Sequence, residues 1–159
     1  MGKMKTLIVG LGNQLMQDDG VGIYISDKII KDEYYDVFDC GPDAFRILNY
    51  LNNHKRIIII DAIDIKLKPG TIICLKEEGL FKFNDLTRSV HQISALEALK
   101  IMKKIEPSLS LVELFFIGIQ IEDINLNQMI TEEVKKSADI IIERLNKKEN
   151  RNLFRNYSN

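Results

Sequence analysis

The hydrophobic positions along the chain follow two kinds of pattern. Short continuous apolar runs predict strands that are buried on both faces. Apolar residues at spacings of three and four predict helices that pack by one face. The predicted strands are residues 5–12, 34–41, 56–64, 71–76 and 111–119. The predicted helices are one from Asp18 or Asp19 to Lys31, and residues 43–51, 89–105 and 131–146.

This alternation of strands and helices predicts a three-layer α/β/α sandwich with a mostly parallel five-stranded sheet. The short connection through Pro69-Gly70 suits a hairpin-like return, so strand 71–76 is predicted to be antiparallel. We expect residues 1–146 to form a single domain and residues 147–159 to form a polar tail. In α/β folds, functional sites gather at the carboxyl ends of the strands.

Composition and charge exclude several classes of function. The chain has 159 residues, a net charge of −1 and a pI of about 6.1, so no basic face for nucleic acid is expected. No apolar run approaches the ~20 residues of a membrane span, and the N-terminus leads directly into a strand. Cys40 and Cys74 have no CxxC spacing; both are predicted to be buried, in a reduced cytoplasmic setting. His54 is predicted to face solvent.

The stretch LIVGLGNQLMQDDGVGI, residues 7–23, joins the first strand to the first helix. Gly10 and Gly12 match the start of a dinucleotide-binding loop, but the third glycine position holds Leu15. The acidic pair that follows would repel a pyrophosphate at the helix N-terminus. The glycines are therefore predicted to form a turn, Asp18 is predicted to cap the helix, and Asp19 could simply compensate the helix dipole.

Two further residues give Asp19 another interpretation. Asp61 follows the apolar run RIIII in the predicted central strand. His91 lies at the start of helix 89–105, between Ser89 and Gln92, which form a capping-box pattern. All three would share the carboxyl edge of the sheet. A histidine at a helix N-terminus tends to be neutral and can bind a metal. Two carboxylates and one imidazole suit Ni²⁺ or Zn²⁺, bound directly or presented by a partner.

Taken together, these motifs resemble those of the nickel–iron hydrogenase maturation endopeptidases. The family pattern GxGNxLxxD[DE]GxG matches residues 10–22, an acid after a central strand matches Ile60-Asp61-Ala62, and a His-Gln pair that opens a helix matches His91-Gln92. The resemblance extends over residues 5–146. It departs from the usual pattern at Asp19, where many members carry the longer Glu.

The resemblance implies a phosphorylase/hydrolase-like fold and a cytoplasmic protease. Such a protease removes the C-terminal extension of a hydrogenase large-subunit precursor after nickel insertion. It also implies that Asp19, Asp61 and His91 bind or sense this nickel, which arrives with the substrate, so that the isolated enzyme could be metal-free. Without a catalytic Cys or Ser signature, we hypothesise that the metal polarises the scissile carbonyl for attack by water. The variable stretch at residues 39–43 leaves the partner hydrogenase open.

Two alternatives remain at this point. Peptidyl-tRNA hydrolases also begin with a strand that ends in a similar glycine turn, but they need a His-Asn pair and a basic face. A non-catalytic nickel-sensing or chaperone module for the large subunit would use the same three residues as the protease, and Asp19→Asn would separate binding from cleavage.

Overall fold

The computed structural model describes residues 5–51, 54–79, 100–101 and 103–147. Within these ranges, five strands form one sheet in the order β2-β1-β3-β5-β4, in which β4 runs antiparallel to its neighbour and the other pairs are parallel. The predicted mostly parallel sheet with an antiparallel strand at residues 71–76 is confirmed. The strands are β1 (Lys5–Leu11), β2 (Tyr35–Gly41), β3 (His54–Ile63), β4 (Ile72–Lys76) and β5 (Glu113–Gln120).

The central strand β3 explains how the sheet is covered on both faces. Successive side chains of a strand point to opposite faces, so the isoleucines of the predicted apolar run divide between two cores. Ile57 and Ile59 belong to one core, whereas Ile58 and Ile60 belong to the other. All four are at most 2% exposed.

Two α-helices cover one face of the sheet. They are α1 (Val21–Lys28) and α2 (Glu132–Asn146), and they also pack against each other. Their apolar residues recur at the spacings of three and four that predicted them. The helix side chains in this core are Val21, Ile25, Val134, Ala138, Ile141 and Leu145.

The described cover of the other face consists largely of two short 3₁₀ helices, Ala44–Asn49 and Pro107–Leu111. The short helix predicted over residues 43–51 is a 3₁₀ helix over Ala44–Asn49. A 3₁₀ helix repeats every three residues, so Ala44 and Ile47 share the buried side while Phe45 is exposed. The second 3₁₀ helix also displaces the start of β5 from the predicted residue 111 to Glu113.

Helix α1 ends at Lys28, three residues before the predicted end at Lys31. The backbone turns extended at Ile29, and the side chain of Asn146 holds the turn. Its amide donates to the Lys28 carbonyl (3.0 Å) and its oxygen accepts from the Ile30 N–H (2.9 Å). The last residue of α2 therefore closes the end of α1.

The other predicted segments are described only in part. Residues 100–101 and 103–105 of the predicted helix 89–105 are helical, and residues 80–99 lie outside the described ranges. The same holds for residues 148–159 of the predicted tail. In the ranges that the structure describes, no helix is both long and apolar enough to cross a membrane.

Two predictions about individual side chains are wrong. The His54 side chain is only 10% exposed, because its ring nitrogens contact the Tyr50 carbonyl (2.8 Å) and Asp36 Oδ2 (3.0 Å). Cys74 is exposed, on β4 at the edge of the described sheet. The predicted burial of Cys40 is confirmed. Burial raises the pKa of its thiol to about 11, so Cys40 is not a thiolate nucleophile at neutral pH.

Candidate active site

The glycine-rich stretch forms the turn at the carboxyl end of β1. Gly12 has a φ of 126°, and its N–H donates to the Gly41 carbonyl (3.0 Å). A Cβ at Gly12 would collide with the Asp19 carbonyl, and one at Gly22 would collide with the carbonyls of Leu11 and Ile60. The glycines therefore let the first turns of the helical segment press directly against the ends of β1 and β3, as the turn prediction required.

A short 3₁₀ helix, Gln17–Gly20, precedes α1 and carries both acids of the motif. The helix predicted to start at about Asp18 or Asp19 thus starts with this 3₁₀ turn, and its α-helical part begins at Val21. Asp19 is half-buried, and its Oδ2 accepts the backbone N–H of Asn13 (3.0 Å). This bond ties the Asp19 carboxylate to the glycine turn.

Asp61 lies in β3, paired with Gly118 of β5, and is only 1% exposed. Its Oδ1 accepts the Ala62 N–H (2.8 Å), whereas its Oδ2 is buried and has no hydrogen-bond partner in the described part of the chain. Burial raises the pKa of Asp61 well above its usual value, the charge of Asp19 raises it further, and the Ala62 bond opposes both. The structure thus brings Asp19 and Asp61 together at the carboxyl edge of the sheet.

His91, the third predicted site residue, lies outside the described residues. Its place beside the two acids stays a prediction. Within the described ranges, no three His, Cys, Asp or Glu side chains come together as a metal site.

The loop after Asp61 is held by Gln120, a buried residue at the end of β5. The Gln120 Oε1 accepts the N–H groups of Ile65 (2.9 Å) and Leu67 (3.3 Å). Its Nε2 donates to Asp64 Oδ1 (3.2 Å). Local sequence patterns give no indication of this role, because the partners of Gln120 are more than fifty residues away in the chain.

Asp18 has a different role from the predicted helix cap. Its side chain is fully buried and accepts hydrogen bonds from a distant loop rather than from its own helix. Oδ2 accepts the N–H groups of Glu122 (2.9 Å) and Asp123 (3.1 Å), and Oδ1 accepts the Thr131 N–H (2.7 Å). The Thr131 hydroxyl lies within 3.0 Å of both oxygens. Asp18 therefore anchors residues 122–131 beside the glycine turn, which no local pattern could reveal.

The Asp19–Asp61 pair has a clear chemical consequence. A buried carboxylate with an unpaired oxygen is costly unless it binds a proton or meets a cation. Carboxylates so placed can act as a general base for water or as ligands to a divalent metal.

A known protein-family model matches most of this chain. The hydrogenase maturation protease model HycI matches residues 21–148, which include α1, Asp61 and α2. The chain belongs to this family. The resemblance in the sequence motifs is thus confirmed, and the protein is a peptidase of hydrogenase maturation.

Individual relatives agree with this assignment. Protein FrxA of Pyrococcus furiosus is 35% identical over 123 residues, which is 77% of this chain and 88% of FrxA. Hydrogenase 2 maturation protease of Escherichia coli is 30% identical over 105 residues, 63% of this chain and 64% of that protein.

Solved structures share the fold. The nickel–iron hydrogenase maturation protease HybD of Thermococcus kodakarensis superposes with a TM-score of 0.79 at 37% identity, covering 88% of this chain and 95% of HybD. HybD of Escherichia coli gives a TM-score of 0.78 at 24% identity, covering 89% of this chain and 90% of that one. The predicted α/β/α fold and protease class are therefore confirmed, and the peptidyl-tRNA hydrolase and non-catalytic alternatives are set aside.

Proposed function

We propose that this protease removes the C-terminal extension of a nickel–iron hydrogenase large-subunit precursor after nickel insertion, and that Asp19, Asp61 and His91 recognise the nickel held by that precursor. The observation that carries the proposal is the buried Oδ2 of Asp61, which lies beside Asp19 and has no hydrogen-bond partner among the residues that the structure describes. Family membership supports the substrate class.

The chemistry follows from the two acids. A divalent ion brought in by the precursor supplies the positive charge that Asp61 Oδ2 lacks among the described residues. Asp19, tied to the Asn13 N–H, adds a second oxygen ligand on the more open side of the site. The predicted imidazole of His91 completes a ligand set of the kind that suits borderline divalent ions.

In the proposed reaction, the metal polarises the scissile carbonyl and one of the acids accepts a proton from the attacking water. The hydroxide oxygen bonds to the carbonyl carbon, the C–N bond breaks, and the amine leaves with the proton that the acid held. The reaction consumes one water and needs no oxidant or further co-substrate. A nickel-free precursor lacks the ion that the acids recognise, so it resists cleavage.

The test is intact-mass spectrometry of the large-subunit precursor encoded in the same genome, nickel-loaded and nickel-free. We expect the native protein to remove a C-terminal peptide from the nickel-loaded form alone. Asp19→Asn should leave both forms intact, whereas the surface variant Glu143→Gln, on an exposed part of α2, should cleave like the native protein. Efficient cleavage without nickel, or by Asp19→Asn, would contradict the proposal.

A further inference from the structure

An exposed apolar patch lies on two chain segments next to the candidate site. The patch consists of Leu15, Ile124, Leu126 and Met129. Leu15 is 60% exposed, Leu126 63% and Met129 87%. Large apolar side chains grouped on the surface are typical of protein–protein contact sites.

The two segments are fixed to each other. The Asn127 N–H donates to the Leu15 carbonyl (2.7 Å), and Gln17 Oε1 accepts both the N–H and the side-chain amide of Asn125 (3.0 and 3.1 Å). Asn127 adopts a φ of 57°, a turn conformation that asparagine tolerates. The turn thus presents Leu126 and Met129 on a defined backbone.

The buried carboxylate of Asp18 holds the whole arrangement in place. It accepts the N–H groups of Glu122, Asp123 and Thr131, which bracket the apolar residues of the loop. A contact surface that is ordered before binding loses less conformational entropy when the partner arrives.

The position of the patch indicates its occupant. Asp18 and the candidate catalytic Asp19 are adjacent in one 3₁₀ helix, and Asp19 bonds the Asn13 N–H two residues before Leu15. An open groove of about 500 Å³ continues from Met129 along Gln14, Gln17 and Tyr24. A polypeptide that follows this groove to a scissile bond at Asp19 and Asp61 would lie beside the patch.

We infer that the apolar patch is the docking surface for the large-subunit precursor, and that the precursor contacts it through an apolar segment flanked by basic residues. This inference rests on the proposed function. The expected basic flank follows from charge, because the exposed Glu122 and Asp123 border the patch. Docking here would hold the extension in the groove and its cleavage point at the acids.

The test separates docking from chemistry by steady-state kinetics on the nickel-loaded precursor that the native protein cleaves. The variant is Leu126→Asn with Met129→Gln. We expect KM to rise at least about tenfold while kcat changes little, since a few buried apolar contacts commonly carry most of an interface. Asp19→Asn should show the reverse, with cleavage lost and precursor binding retained.

The matched control is Leu111→Asn. Leu111 is 83% exposed, like Met129, but it precedes β5 at the amino edge of the sheet and does not line the groove. It should keep the native KM. Thermal unfolding of all variants checks that the exposed substitutions leave the fold intact. An unchanged KM in the Leu126→Asn/Met129→Gln variant, with the native protein active, would overturn the docking inference alone; no cleavage by the native protein would overturn the proposed function and this inference with it.

Discussion

Asp18 and Asp61 are the same residue type, both almost completely buried, and yet their surroundings are opposite. Asp18 accepts three backbone N–H groups and a hydroxyl, so that both of its oxygens are bonded. Asp61 accepts one N–H, and its second oxygen has no partner within the described ranges. Burial alone does not distinguish a structural acid from a reactive one; the number of satisfied oxygens does.

The largest expected effect is on activity. Asp61→Asn removes the charge that we propose to meet the nickel, so cleavage of the nickel-loaded precursor should fall by about a hundredfold or more. Quantitative intact-mass time courses measure the rate. Glu143→Gln, on an exposed part of α2, is the control and should retain cleavage. Comparable losses in both variants would show that cleavage responds to the loss of any negative charge, rather than to a need for Asp61.

The second effect is on stability. Asp18→Asn exchanges a carboxylate oxygen that accepts hydrogen bonds for an NH₂ group that faces backbone donors. We expect the free energy of unfolding to fall by about 2–4 kcal/mol, because a buried hydrogen-bond network is broken. Urea unfolding followed by circular dichroism gives the value. A loss below the error of the method would mean that the bonds to residues 122–131 contribute little.

The third effect is a pH dependence of stability. Because the pKa of Asp61 is raised in the folded protein, the folded state keeps a proton that the unfolded state releases. Stability should therefore fall as pH rises from about 4 toward the raised pKa of Asp61. Urea midpoints at several pH values, measured with a chelator present, should show a flatter profile for Asp61→Asn than for the native protein. Parallel profiles would contradict the raised pKa.

The smallest effect is expected at the opposite edge of the sheet. His54 contacts Asp36, which also pairs with Lys5 (2.9 Å), but the Asp36 side chain is 45% exposed. Solvent weakens such pairs, so His54→Gln should cost only about 0.2–1 kcal/mol and leave cleavage unchanged. Thermal unfolding together with the precursor assay checks both. A loss of stability as large as that of Asp18→Asn would show that the exposure of Asp36 does not weaken its contact with His54.

The sequence predicted those features that repeat locally. The apolar runs located the strands of the sheet, and Pro69-Gly70 indicated the antiparallel one. The glycine turn and the meeting of Asp19 with Asp61 also followed, because parallel strands bring their carboxyl ends to one edge.

Other features depend on residues that are distant in the chain. The anchor at Asp18 joins residues more than a hundred positions apart, and Asn146 closes a helix that ends at Lys28. His54 appeared to lie in a charged loop, but folding places Asp36 beside it. Local sequence patterns do not predict contacts between residues so far apart in the chain.

The most direct test compares the unfolding free energies of Asp18→Asn and Asp61→Asn, side by side at neutral pH without metal. We expect opposite signs. Asp18→Asn should be less stable than the native protein, and Asp61→Asn should be more stable by about 1–3 kcal/mol, because it removes a buried carboxyl group whose ionisation the folded state disfavours. If both variants are destabilised to a similar extent, Asp61 is a satisfied structural acid like Asp18 and is not a group that awaits a cation.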